Sequence, residues 1–378
     1  MSDNQAHRAI VIVGAGIIGL DVALRLCEKG YGPYITIAAQ YMPGDTSPSY
    51  CSPWAGCNFS AISGTDANAL KWDREGYRHL RELCAKHGKE AFVQRTPSLE
   101  FWDEQIPSNK IKFMSEYLED FKVLPASELL AGTSFGISFS TYTINAPRHI
   151  AYLAERLRAQ YGVAFSRKTL PNITSAYGPA TRLVFNCTGA SAATLKGVED
   201  SRCYPTRGQV LLARAPAVKS NTMRHGSGYE TYIIPRPGTD GHVVLGGYMQ
   251  KGSSDPATYA AETASILERT RALDPSGLGG GASAEVLAAL TGARPSREGG
   301  ARIAREELLL GDGGDFDETT GEVESSSKKR RGRKVTLVHN YGAGGTGFQA
   351  GRGMAVDAVA LVEGDVLQEI MQPVVAKL

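Results

Sequence analysis

Cysteine is scarce and scattered in this chain of 378 residues, at Cys27, Cys51, Cys57, Cys84, Cys187 and Cys203. No two of them form a C-x-x-C pair, and no histidine stands near them at zinc-ligand spacing. That pattern speaks against metal ribbons and dithiol chemistry and leaves thiols packed as small apolar groups. Apolar runs of about 18 residues are missing, so no segment reads as a membrane-spanning helix. Residues 1–8, MSDNQAHR, lack the apolar core of a secretory signal, which argues against secretion. Net charge is small, +2, so no global field favours nucleic acid or membrane. H-E-x-x-H and G-x-S-x-G are absent, and the zinc-peptidase and α/β-hydrolase readings lose their anchors with them. No internal repeat is visible.

What is present is a large apolar fraction, 42%, against 21% charged residues, enough for a soluble enzyme of about two domains. Residues 9–13 form an unbroken apolar run, as a buried parallel strand requires. It enters the fingerprint Gly14, Ala15, Gly16, Ile17, Ile18, Gly19, and a helical pattern follows through Leu20, Ala23, Leu24 and Cys27, with Gly30 as its C-cap. A second β-like run covers 34–38. Gly14 allows the tight turn, Gly16 lets backbone approach a pyrophosphate, and Gly19 lets helix and strand pack closely. The helix N-terminus faces the phosphates with free N–H groups. The acid expected about twenty residues on, for the ribose hydroxyls, is replaced by Ala39 and Gln40, which leaves an amide hydrogen bond as its substitute. From this motif alone the nature of the dinucleotide stays open.

Two later segments repeat the design. LVFNCTGA (183–190) is a strand ending in small residues. The strand of residues 335–341 runs into Gly342, Gly344, Gly345, Thr346 and Gly347, and a helical run over 349–363 follows. Such a helix end favours negative charge on a reduced cofactor ring.

With these stretches in hand the sequence resembles the D-amino-acid oxidase family. The matching segments are VIVGAGIIGL (11–20), SPWAG (52–56), LVFNCTGA (183–190), RGQ (207–209), TYIIPRPG (231–238), LGG (245–247), TGARPSREGG (291–300) and VHNYGAGGTGFQ (338–349), in the family's order across nearly the whole chain. The resemblance implies an α/β fold with FAD as cofactor. A Rossmann-like FAD-binding domain would be built from separate segments, 1–60, 143–198 and 292–378, with 311–334 as an insertion loop. An α+β substrate domain, 61–142 and 199–291, would stand on a mainly antiparallel sheet. Ser52, Ala55, Gly56, Thr169, Cys187, Thr188 and Gly189 join the glycine loops as cofactor contacts, and no metal is implied.

Oxidising an amino acid to an imine requires the substrate Cα–H to be held against the flavin with its amine neutral. The resemblance makes Arg294 the fork for the α-carboxylate, a role whose planar two-point geometry lysine cannot reproduce. Tyr232 matches the tyrosine whose hydroxyl shares that carboxylate. Tyr229 lies one residue from the position of a lid tyrosine in mammalian-type enzymes. Gln349 matches a glutamine on the amine side, and main-chain carbonyl near Gly345 is expected to hold the amine. Met249 stands where D-aspartate oxidases carry an arginine, while the alternation of a strand turns Tyr248 away. Neutral D-amino acids are therefore expected over acidic ones, with O2 as acceptor and H2O2, ammonia and a 2-oxo acid as products.

Amphipathic helices are expected over 66–87, capped by Gly88, and over 147–161, with a helical stretch at 111–121. The basic run 328–334 sits beside an acidic stretch and reads as a solvated insertion; yeast-type relatives use an insertion here in dimer contacts, so a homodimer is compatible. Ala376, Lys377 and Leu378 resemble the S-K-L address, which implies a peroxisomal import receptor as partner and the peroxisome matrix as location. The competing readings are a D-aspartate or glycine/sarcosine-type flavin oxidase and, from a different class, an NAD-binding sensor protein.

Overall fold

In this computed structural model the described residues are 8–60, 62–279, 284–311 and 332–371. Most of the insertion at 311–334 and the tail Ala376–Leu378 lie outside them.

The apolar run at the N-terminus forms the strand Ile10–Val13, and Ile10 and Ile12 are fully buried. Burying each stabilises the fold by about 2–3 kcal/mol at most. It pairs in parallel with Ile35–Ala39 on one side and Leu183–Asn186 on the other. Among the described residues this sheet has six strands, in the order Arg302–Leu310, Arg333–Tyr341, Leu183–Asn186, Ile10–Val13, Ile35–Ala39, Ala164–Arg167. The Arg302–Leu310 edge strand is the antiparallel one. Helices Ile17–Glu28, Ala146–Tyr161 and Gly347–Glu363 pack on it, joining Leu20, Leu24, Ile150, Leu153, Leu157, Ala355 and Val359 in one core.

The second sheet is mainly antiparallel. Its path runs Gln250–Lys251, Cys203–Arg214, His242–Gly246, Tyr229–Pro235, Asn221–Gly226, Val93–Trp102, Phe135–Ile144, Lys122–Val123, and the long strand Glu285–Arg297 pairs along Cys203–Arg214. Only Val93–Trp102 and Asn221–Gly226 run parallel within the described part of it. This is the α/β arrangement expected, with one largely parallel and one largely antiparallel sheet.

Two helices depart from their expected limits. The helix beginning after Asp66, whose carboxylate accepts from Ala69 N at 2.9 Å, continues beyond Gly88 to Ala91. The helix is kinked at His87 instead of ending there, and it stops at Phe92 (φ 54°), whose N–H satisfies the last carbonyls. The stretch expected at 111–121 is the shorter helix Ser108–Ser115, followed by turns.

Candidate active site

A cavity of 970 Å³ opens at the C-terminal ends of the central parallel strands and extends across to one face of the antiparallel sheet. Its first wall is where the strand Ile10–Val13 meets neighbours reached by connections in opposite directions, the crevice in which open α/β sheets bind ligands. Gly14 has φ +114°, and a Cβ there would lie 2.4 Å from the carbonyl oxygen of Cys187. Gly16 is open apart from Ser52 Oγ, which accepts from Ile17 N at 3.0 Å. A Cβ on Gly19 would lie 2.0 Å from the carbonyl oxygen of Gly14, so this glycine serves helix–strand contact and does not line the cavity.

Ala15, Ile17, Ile18, Ala39, Gln40, Ala55, Gly56, Thr169, Cys187, Thr188 and Gly189 also line the cavity. The Gln40 side-chain amide donates to Tyr41 Oη at 3.3 Å, and the Gln40 main-chain carbonyl accepts from Arg167, which also grips Asp45 at 2.6 and 3.0 Å. Across the cavity the turn at Gly344, Gly345 and Thr346 leads into Gly347 and the start of the second helix. Gly342 (φ +88°) shapes the entry to this loop from outside the lining. Two helix N-termini and two glycine-lined walls thus face one elongated cavity. That shape and donor set fit a dinucleotide carrying a ring system.

The sheet wall carries the polar groups. Arg294, opposite Thr206, lays its guanidinium over Gly208, where a Cβ would lie 2.3 Å from Nη1. Its Nη1 donates to the carbonyl of Tyr248 at 3.0 Å. Tyr232 is buried nearby with its ring packed over Gly246 and Gly247, and burial raises its phenol pKa against the opposing charge of Arg294. Met249 lines the mouth and is 44% exposed, whereas Tyr248 packs on the opposite face against the apolar core there.

Two candidate residues are placed differently. Tyr229 lies outside the cavity lining, with its hydroxyl donating to Asp103 Oδ2 at 2.6 Å, because the parity of its strand sends it away from Tyr232. Gln349 lines the cavity, but its amide is engaged within the protein. Nε2 donates to Ser63 Oγ and Asp73 Oδ1, both at 3.0 Å, and Oε1 accepts from Ser60 N at 3.2 Å.

Gln349 belongs to a buried polar network. Burial pushes the Asp73 carboxyl up to about 6, against the hydrogen bonds from Ser63 and Gln349. Lys110 Nζ donates to Ser63 O at 2.7 Å. Ser60 Oγ donates to Glu100 Oε2, which also faces His225 Nε2 at 3.2 Å, while His225 Nδ1 lies 2.6 Å from Glu230 Oε2. Burial alone would lower the His225 pKa. The two carboxylates prevail and push it up to about 9. Glu230 reaches the cavity lining from the strand that carries Tyr232. Sequence reasoning missed Glu230, Met223, Gly208, Tyr50 and Lys168 as lining residues. For Glu230 a signal existed, since it precedes Tyr232 by two and shares its face.

A family model described as FAD dependent oxidoreductase matches residues 9–361. The chain belongs to this family. FAD is accordingly its cofactor, and the glycine-lined end of the cavity has the shape to hold it. A curated D-amino-acid oxidase of Schizosaccharomyces pombe is 41% identical, covering 96% of this chain and 98% of that protein. A D-aspartate oxidase of Cryptococcus neoformans is 30% identical, covering 94% of this chain and 97% of its own. Among solved structures, glycine oxidase from Geobacillus kaustophilus superposes with a TM-score of 0.65 at 19% identity, covering 94% of this chain and 95% of that one, a likeness of fold.

Proposed function

We propose that this oxidoreductase is a D-amino-acid oxidase acting on D-amino acids with O2 as acceptor. The observation that carries the reading is the seating of Arg294 over Gly208 beside Tyr232, in the same cavity as the glycine-lined cradle. Handedness rests on the likeness to the Schizosaccharomyces pombe enzyme.

Bound flavin supplies the acceptor for the electron pair released from the substrate Cα–H. The chain's own residues orient and desolvate. Arg294 offers a planar pair of donors to the α-carboxylate, anchored from behind by the Tyr248 carbonyl. Tyr232, its phenol kept protonated by burial, donates a hydroxyl to the same group. The main-chain carbonyl at Gly345 would accept from the neutral amine, and Gln349 ties Ser60 and Ser63 to the first turn of Gly347–Glu363. Thus Gln349 acts by positioning. Met249 offers no partner to a second carboxylate on the substrate and so disfavours it.

Purified protein should be yellow and release peroxide with D-alanine but not with L-alanine. A colourless protein, or equal rates with both isomers, would refute this reading. The segments 1–60, 143–198 and 292–378 are proposed to hold FAD, and 61–142 with 199–291 the substrate. Peroxisomal residence through Ala376, Lys377 and Leu378 is proposed from the tripeptide and from the peroxide formed. Deleting the tripeptide from a fluorescent fusion should turn puncta into diffuse signal. A homodimer is proposed only by analogy and is read by light scattering.

A further inference from the structure

We infer that Glu230 is a specificity-determining residue that admits D-amino acids with a cationic side chain, such as D-lysine, to the substrate end of the cavity. This inference rests on the oxidase reading above.

Glu230, Tyr232 and Ile234 alternate along Tyr229–Pro235 and all line the cavity, while Thr231 and Ile233 face the other way. Two strand residues span about 6–7 Å, so the Glu230 backbone lies that far from Tyr232. An amino acid held by its carboxylate at Arg294 and Tyr232 can lay a four-carbon stem along this spacing and bring an ammonium to Glu230. Among the described residues Glu230 is the one carboxylate in the lining.

Its charge is held in place. Oε2 faces His225 Nδ1 at 2.6 Å, and the imidazole is stacked against Trp102, with ring centres 4.6 Å apart. The same imidazole is shared with Glu100, so one cation stands between two carboxylates and leaves net negative charge on that side of the cavity. Lys110 lies behind, hydrogen-bonded to Ser63 O and acting on Glu100 first, then Asp73 and Glu230, so that with His225 two cations stand against three carboxylates and the balance there stays negative. The cations lining the cavity are engaged elsewhere: Arg294 is reserved for the α-carboxylate, and Lys251 lies over the Tyr204 ring at 4.7 Å. Lys168 stands just beyond the strand Ala164–Arg167, beside Thr169 on the parallel-sheet wall. The Glu230 carboxylate is 21% exposed, wet enough to accept a partner and dry enough for the pairing to count.

The test compares kcat/KM for D-lysine and D-norleucine, which share the α-amino acid end and differ in the terminal charge. In the wild-type holoenzyme D-lysine should equal or exceed D-norleucine, with D-glutamate far below both, and added salt should lower the D-lysine/D-norleucine ratio. In Glu230→Gln, which keeps an acceptor for His225, the ratio should fall about tenfold and lose its salt dependence. General damage to activity cancels in the ratio. An unchanged ratio in a variant that oxidises D-norleucine overturns the inference. Should the variant lose its flavin, the wild-type salt dependence decides, and a flat ratio overturns it. A wild type that oxidises no D-amino acid would instead refute the oxidase reading itself.

Discussion

Gly208→Ala should disable substrate capture while leaving the flavoprotein intact. Gly208 lies on Cys203–Arg214, diagonal to Arg294 on the paired strand, and its backbone is ordinary extended chain that alanine adopts without strain. A Cβ there would lie 2.3 Å from Nη1 and 2.8 Å from both Cζ and Nη2 of Arg294. Normal contact needs about 3.4 Å or more, so the flexible guanidinium must retreat by about 1 Å. A misplacement of that size at a positioning group costs about 10²-fold in rate, or roughly 2.7 kcal/mol. The assay is kcat/KM for D-alanine beside flavin content and Tm. The expected result is a fall of about two decades with a raised KM, normal flavin absorbance and a Tm unchanged or slightly higher, since Gly→Ala in compatible backbone stabilises by about 0.4–1 kcal/mol. Near-normal kcat/KM in the flavin-loaded variant would refute the carboxylate role of Arg294.

The other predictions address cofactor, electrostatics and selectivity. Gly14→Ala places a Cβ 2.4 Å from backbone at φ +114°, so flavin content should collapse and Tm should drop; a yellow variant of normal Tm would contradict the cradle reading. Asp21 is buried and its carboxyl is pushed up to about 7 from 3.8, by burial first, with Arg352 opposing. A raised folded pKa means stability is full below the unfolded value and is lost as pH rises to the folded one, by about 4 kcal/mol. Asp21→Asn should therefore raise Tm at pH 8 and leave it little changed at pH 4; equal shifts at both would refute it. Met249→Arg should move the D-aspartate/D-alanine ratio of kcat/KM toward D-aspartate, and an unmoved ratio would remove Met249 from the side-chain pocket.

The nucleotide end of the molecule was legible because its constraints are local. A strand, three glycines at fixed spacing and an amphipathic helix are contiguous, and Gly19 answers to Gly14 and Ile12 within that unit, while Gly14 and Gly16 meet Cys187 and Ser52 from outside it. The substrate end depends on pairings distant in sequence. Gly208 and Arg294 meet only because Cys203–Arg214 pairs with Glu285–Arg297, and composition carries no trace of that register. The flanking Arg207 and Gln209 face the opposite side, where Arg207 pairs with Glu262 at 2.9 Å and Gln209 donates to Tyr259 O at 3.0 Å. A three-residue segment thus serves two environments, and only strand parity separates them. Tyr229 illustrates the converse: near the right place in sequence, it falls on the wrong side of its strand and bonds to Asp103.

The cavity's charge layout follows from which elements meet it. At the parallel sheet the donors are backbone N–H groups at helix ends, fixed in direction and independent of pH, which suits a phosphate-bearing cofactor that stays in place. At the antiparallel sheet the groups are side chains whose heads must be desolvated without losing charge. The structure achieves this by backing each with a buried partner: Tyr248 O behind Arg294, His225 behind Glu230, Ser63 and Asp73 behind Gln349. A group held this way loses little further freedom when a ligand arrives. Under the proposed reading, substrate selection falls to two lining positions, Met249 at the mouth and Glu230 along the wall. They differ in kind, one excluding a second carboxylate by offering it no partner and the other offering a cation a fixed one.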